Sequence, residues 1–204
     1  MKQVLIALFA LMPLLSQAQD NTWEKAEKSS ATSSNPDSKY LTGAVPEVDG
    51  KVVFQTTVKA PGKTKQQIHA ILLDFMTKLT KEDGQFEQSR IVIEGKEECN
   101  QVVGSYQEWL VFKNKPLNLD RTRLFYYLIA ECRDGEATVK MTRIYYLYDE
   151  ERTPQTLQAE EWINDRYGLN RKHTKLARVS GKFRRKTIDR KDYLFNKIEQ
   201  VLNR

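Results

Sequence analysis

The chain has 204 residues, 40% of them hydrophobic, which is enough for one domain with a core and an appendage. Its net charge of +6 is concentrated: eleven Lys or Arg residues and a single acid, Asp189, lie between Arg166 and Lys191, so the rest of the chain is net acidic. Two histidines and two scattered cysteines give no zinc spacing, and beyond the N-terminus no apolar run is long enough to cross a bilayer.

Residues 1–18 carry the parts of a signal peptide. Lys2 supplies the positive end, Val4 to Leu15 form an apolar run broken only by Pro13, and Ser16-Gln17-Ala18 offers small residues to a peptidase. The run is too short for a permanent span, and no cysteine stands near the cleavage point to take a lipid. The expected mature protein starts at Gln19 and is periplasmic or secreted. Residues 19–39 are rich in Ser, Thr, Asn, Lys and Glu, with Trp23 as the only large apolar side chain. They read as a disordered leader.

Order is expected from Tyr40. Lys51 to Lys59 is a strand, ended by Pro61-Gly62. Thr64 and Gln67 form a capping box, and Ile68, Ile71, Leu72, Phe75 and Leu79 fall on one helical face. Strand-like segments follow near 86–94, 101–112, 121–132 and 136–148. Asp134-Gly135 joins the last two as a tight hairpin, which pairs Ala130 with Val139, Leu128 with Met141 and Leu124 with Tyr145. In that register Phe125, Tyr127, Ile129, Ile144 and Tyr146 share the opposite face. A sheet apolar on both faces needs a second cover or a partner. Of Phe125, Tyr127, Tyr146 and Tyr148, the expectation is burial beneath the last helix.

Thr153-Pro154 looks like the start of a helix carrying Leu157, Trp162 and Ile163 and stopped by Gly168. Residues 170–186 read as a basic loop, and Leu194, Phe195, Ile198, Val201 and Leu202 as one side of a final helix. The predicted architecture is an α+β domain over residues 40–168, with a basic linker and C-terminal helix over 169–204 packing on it.

The chemistry is sparse. His69 lies beside the apolar stripe of the first helix, and His173 sits among Arg171, Lys172 and Lys175; neither has a nucleophile nearby in sequence. Glu94, Glu97 and Glu98 cluster in a turn without calcium-loop spacing. Gly181-Lys182 is no phosphate loop, because Leu176 and Phe183 occupy the positions that need Gly and Ser or Thr. No catalytic residue, metal ligand or cofactor site is assigned. Cys99 and Cys132 fall on adjacent strands, and a disulfide and two free thiols both fit. The salient feature is the set Arg171, Lys172, Lys175, Arg178, Lys182, Arg184, Arg185 and Lys186. These cations suit an anionic envelope component or a protein partner, or else pair with acids elsewhere in the chain. Export argues against nucleic acid.

Two stretches, Tyr40 to Phe54 (YLTGAVPEVDGKVVF) and Gly181 to Asp192 (GKFRRKTIDRKD), resemble a family of secreted Bacteroidetes proteins of unknown function. The family's domain is described as having a fold like that of the TATA-box-binding protein (TBP-like). The resemblance runs from about Tyr40 to the C-terminus. It implies an exported α+β domain ordered strand, helix, four antiparallel strands, helix, and it carries over no catalytic residue. The expected function is a non-enzymatic binding module in the envelope. The alternative is a lipid or small-molecule carrier with a cavity between Ile71 and Phe75 on the helix and Leu128 and Met141 on the sheet. A hydrolase using His69 or one of the carboxylates ranks last.

Overall fold

The computed structural model describes Asn21, Trp23, Glu24 and residues 36–204 except 117. The expected signal peptide lies outside these residues. The elements are β1 (Glu47–Val48), β2 (Lys51–Lys59), α1 (Lys65–Leu79), β3 (Arg90–Ile93), β4 (Gln101–Lys115), β5 (Asn118–Arg133), β6 (Glu136–Tyr148), β7 (Gln155–Gln158), α2 (Asp165–Gly168) and α3 (Gly181–Leu202). The strands form one antiparallel sheet in the order β1-β2-β6-β5-β4-β3, with β7 pairing β6 beyond the end of β2.

Helix α1 starts as its sequence requires. The Thr64 hydroxyl accepts from the Gln67 amide, and the Gln67 side chain accepts from the Thr64 amide. Its buried stripe, Ile68, Leu72, Met76 and Leu79, packs into one core with Leu124, Leu128, Ala130, Val139 and Met141 of the sheet. Each of these side chains larger than Ala130 contributes about 1.5–3 kcal/mol on burial. Helix α3 buries Phe183, Ile188, Leu194, Ile198 and Leu202 in the same core. The two helices therefore share one sheet face, and neither covers the other.

Four expectations need correction. First, β6 carries a bulge. Tyr127 pairs Thr142, but Phe125 pairs Tyr145, so Leu124 faces Tyr146 rather than Tyr145. The extra residue is accommodated with Arg143 in a left-handed conformation (φ 52°). The slip moves Ile144 and Tyr146 to the core face, where both are fully buried. Second, residues 153–168 are not one helix. Leu157 pairs Tyr146 in β7, a 3-10 turn follows at Ala159–Glu161, and only Asp165–Gly168 is helical. Third, the last helix starts at Gly181, because Phe183 and Ile188 extend its apolar stripe backwards through the basic run. Fourth, part of the leader is ordered: Asn21 and Trp23 are buried, and Lys39 pairs with Asp189 at 2.7 Å.

Candidate functional site

The eight cations divide into two groups. Those on α3 are spent inside the protein. Arg184 is fully buried and donates to the carbonyls of Tyr40 (2.6 Å), Leu41 (2.6 Å) and Ile163 (2.7 Å) and to Asp165 (2.7 Å). Burial pulls its guanidinium below the ordinary value against the pull of Asp165. Arg184 is thus removed from any surface site, since its donors close the 40–41 and 163–165 segments onto the helix. Arg185 pairs with Asp37, Lys186 with Glu24 and Lys182 with Asp120.

The other four lie on a tight loop after α2. Arg171, Lys172, Lys175 and Arg178 are exposed, and among the described residues none has an acid within ion-pair distance. The loop is held firmly. The Asn170 amide donates to Lys175 O (2.9 Å), and its side-chain oxygen accepts from the Thr174 and Lys175 amides. The Ala177 amide donates to Gly168 O, and the Ser180 hydroxyl to Tyr167 O. Leu169 and Leu176 bridge its stem. Tyr167 (42% exposed) and Val179 (58%) flank the cations. Both are among the few large apolar side chains left in solvent.

The aromatic residues of the hairpin split between two faces. Tyr146 and Tyr148 pack edge-on against Phe183 beneath α3, as expected. Phe125 and Tyr127 point to the face that no helix among the described residues covers. There Phe125 stacks on Tyr145 at 4.3 Å, Arg121 lies over Trp109 at 3.7 Å, Arg123 over Phe86 at 4.1 Å and Arg143 over Tyr127 at 4.9 Å. Guanidinium planes thus cover much of the aromatic surface and keep it half-buried.

His69 is buried, and a ring nitrogen is hydrogen-bonded to Glu94 O. Cys99 and Cys132 are free thiols in this structure. Among the described residues no group of three or more His, Cys, Asp and Glu side chains is placed to hold a metal. No helix among them is long and apolar enough to cross a membrane.

Two arrangements escaped sequence reasoning. Lys182 donates to Asp120 (2.6 Å) and to the Tyr148 hydroxyl (3.1 Å), which itself donates to Asp120, beside an open cleft at the end of the sheet. Arg190 and Glu108 form a buried pair. Residues 62 and 82 positions apart leave no local signal of either contact.

A model for a domain of unknown function (DUF4468) with TBP-like fold matches residues 54–147. Among solved structures the chain is similar to a DUF4468 family protein from Bacteroides ovatus, with 37% identity and a TM-score of 0.77. That match covers 83% of this chain and 96% of the other. A TBP-like protein from Parabacteroides distasonis matches at 18% identity and a TM-score of 0.61 over 78% of this chain and 96% of the other, a likeness of fold alone. No curated protein matches.

Proposed function

We propose that this chain, which belongs to the DUF4468 family of TBP-like domains, is an exported, non-catalytic binding module that docks on the anionic phosphates of an envelope membrane surface. The observation that carries the reading is the contrast between the two groups of cations. Four on α3 are paired internally, while Arg171, Lys172, Lys175 and Arg178 project from a rigid loop with no acid beside them among the described residues. Tyr167 and Val179 supply the apolar contact that an interfacial site needs next to its charges. Export is supported by Lys2, the apolar run and the Ser16–Ala18 pattern. A non-catalytic role is supported by His69, whose ring is tied to a backbone carbonyl. Against a carrier between α1 and the sheet stand Ile68, Leu72 and Met76, fully buried in one core with Leu128 and Met141.

The test is sedimentation of the chain from Gln19 with phosphatidylglycerol and phosphatidylcholine vesicles at low salt. The protein is expected to pellet with the anionic vesicles alone and to be released by salt. Each cation near such a surface is worth about 1 kcal/mol, so reversing Arg171, Lys172, Lys175 and Arg178 to Glu should weaken partition at least about a hundredfold. Equal pelleting of the reversed protein would sink the proposal.

A further inference from the structure

A cleft of about 500 Å³ opens at the end of the sheet, between the start of β5 and the β6–β7 connection. This is the size range of small-molecule sites. Trp109, Asp120, Arg121, Tyr148, Glu150 and Arg152 are among its lining residues. It is distant in sequence from the basic loop and shares no residue with it.

We propose that this cleft binds a short, neutral carbohydrate. The argument rests on how its charges are already arranged. Arg123 grips Glu150 with two hydrogen bonds (3.0 and 2.6 Å). Arg121 sits 3.6 Å from Glu151, and Lys182 is held by Asp120 at 2.6 Å. Apart from Arg152, an incoming ion therefore meets charges compensated in advance, and breaking one of these pairs to seat it would strand the other partner. A hydroxyl both donates and accepts. It needs no net charge opposite it, and it can bridge a carboxylate lone pair and a guanidinium N–H that the existing pairs leave unused.

The groups left over are of both kinds. Arg152 is exposed, and among the described residues has no acid within ion-pair distance, so its donors are free. Glu151 is 85% exposed and held only loosely by Arg121. Asp120 accepts from Lys182 and from the Tyr148 hydroxyl, which fixes its carboxylate plane. The Trp109 ring backs the Arg121 guanidinium at 3.7 Å and stops it from swinging, while the Tyr148 ring is locked edge-on to Phe183. Donors and acceptors held in preset positions by rigid rings are what a polyhydroxylated ligand requires. A purely apolar ligand would leave these polar groups unpaired.

The experiment is isothermal titration calorimetry of the chain from Gln19 with three neutral disaccharides (maltose, cellobiose and N,N′-diacetylchitobiose) and three charged comparators (glutamate, lysine and inorganic phosphate). At least one disaccharide should bind saturably, with a Kd of about 1 mM or tighter. Arg152→Ala and Glu151→Ala, both at exposed positions, should each weaken it at least about tenfold without changing the melting temperature. The four-Glu variant of the basic loop should bind the sugar unchanged, which separates this site from membrane docking. Absence of saturable heat with all three disaccharides up to about 20 mM, tighter binding of any charged comparator, or indifference to both substitutions overturns the proposal.

Discussion

Arg190 and Glu108 meet inside the protein as a two-pronged ion pair, Nε to Oε1 at 2.8 Å and Nη2 to Oε2 at 2.7 Å, with both side chains almost wholly out of solvent. Burial would lower the basicity of Arg190, but Glu108 outweighs it and holds the guanidinium above its ordinary range. Gln85 donates to the same carboxylate, and the rings of Trp23 and Tyr193 lie 5.5 and 5.2 Å from the guanidinium. One guanidinium nitrogen, Nη1, has no partner among the described residues, so the pair is incompletely satisfied. Removing one member should therefore cost far more than removing both. Arg190→Met or Glu108→Leu alone is expected to lose about 3–5 kcal/mol, and the double variant to regain most of it. Urea melts of the four proteins give the coupling energy directly. Additive losses would show that the pair is not the unit of stability.

Arg184 plays a different part, since three of its four bonds run to backbone carbonyls and only one to a carboxylate. It fastens the entry segment at Tyr40–Leu41 and the turn at Ile163–Asp165 to α3. Gly168 belongs to the same joint: a methyl there would stand 2.8 Å from the Arg184 Cδ. Lysine cannot reproduce the planar fork, so Arg184→Lys should destabilise the protein by about 2–3 kcal/mol, almost as much as Arg184→Ala. Vesicle binding of the folded variant should be unchanged, because the side chain never reaches solvent. Thermal melts and sedimentation together check this. A stable Arg184→Lys protein that has lost its vesicles would put this arginine at the docking surface instead.

What could be read from the chain beforehand was what is local. The Thr64–Gln67 box, the stripe on α1 and the Asp134-Gly135 hairpin all depend on neighbours a few residues apart, and all three form. The hairpin register holds from the turn as far as Tyr127 and Thr142, where one left-handed residue, Arg143, slips it. Strict alternation has no means of placing such a bulge. Residues Gln155–Gln158 carry a helical start signal in Thr153-Pro154, yet β6 outruns β2 and offers four residues an open edge, which wins. Charge misled most. A run of Arg and Lys reads as solvated surface unless the distant acceptors are known, and those of Arg184 and Arg190 lie up to 144 residues away. The cleft was illegible for the same reason, being assembled from β4, β5 and the β6–β7 connection.

The two cysteines should differ sharply in reactivity. Burial, reinforced by the nearby Cys99, pushes the Cys132 thiol up to about 11. Cys99 is half-buried, its thiol donating to Lys96 O at 3.2 Å. Alkylation with iodoacetamide at pH 8 should label Cys99 first and leave Cys132 slower by at least about a hundredfold until the protein unfolds. Because the folded pKa of Cys132 is raised, its contribution to stability is fully present below about pH 9 and is lost as pH climbs through about 11. Cys132→Ala should flatten that part of the stability–pH curve. Equal labelling of both thiols in the native protein would contradict the burial of Cys132.

The segment expected to be loose supplies an unexpected fastening. Asn21 uses its side-chain amide as a strand residue would use its backbone: Nδ2 donates to Val111 O at 2.7 Å, and Oδ1 accepts from the Val111 amide at 3.0 Å. Val111 lies on the outer edge of β4 beyond the reach of β3, so this contact satisfies a backbone pair that would otherwise need water. Two residues on, Trp23 is 7% exposed and covers the Arg190–Glu108 pair. Glu24 then pairs with Lys186. Asn21→Ala should cost about 1–2 kcal/mol, and Trp23→Ala about 3 kcal/mol, since its loss also wets the ion pair. Beginning the chain at Pro36 removes both contacts at once. It should lose no less than Trp23→Ala, and less than the two single losses added, because the side chains share one docking event. Three melts against the chain from Gln19 decide it. If the chain from Pro36 melts with the full-length protein, the strap lies on the domain without holding it, and the Arg190–Glu108 pair must be protected from water by Tyr193 alone.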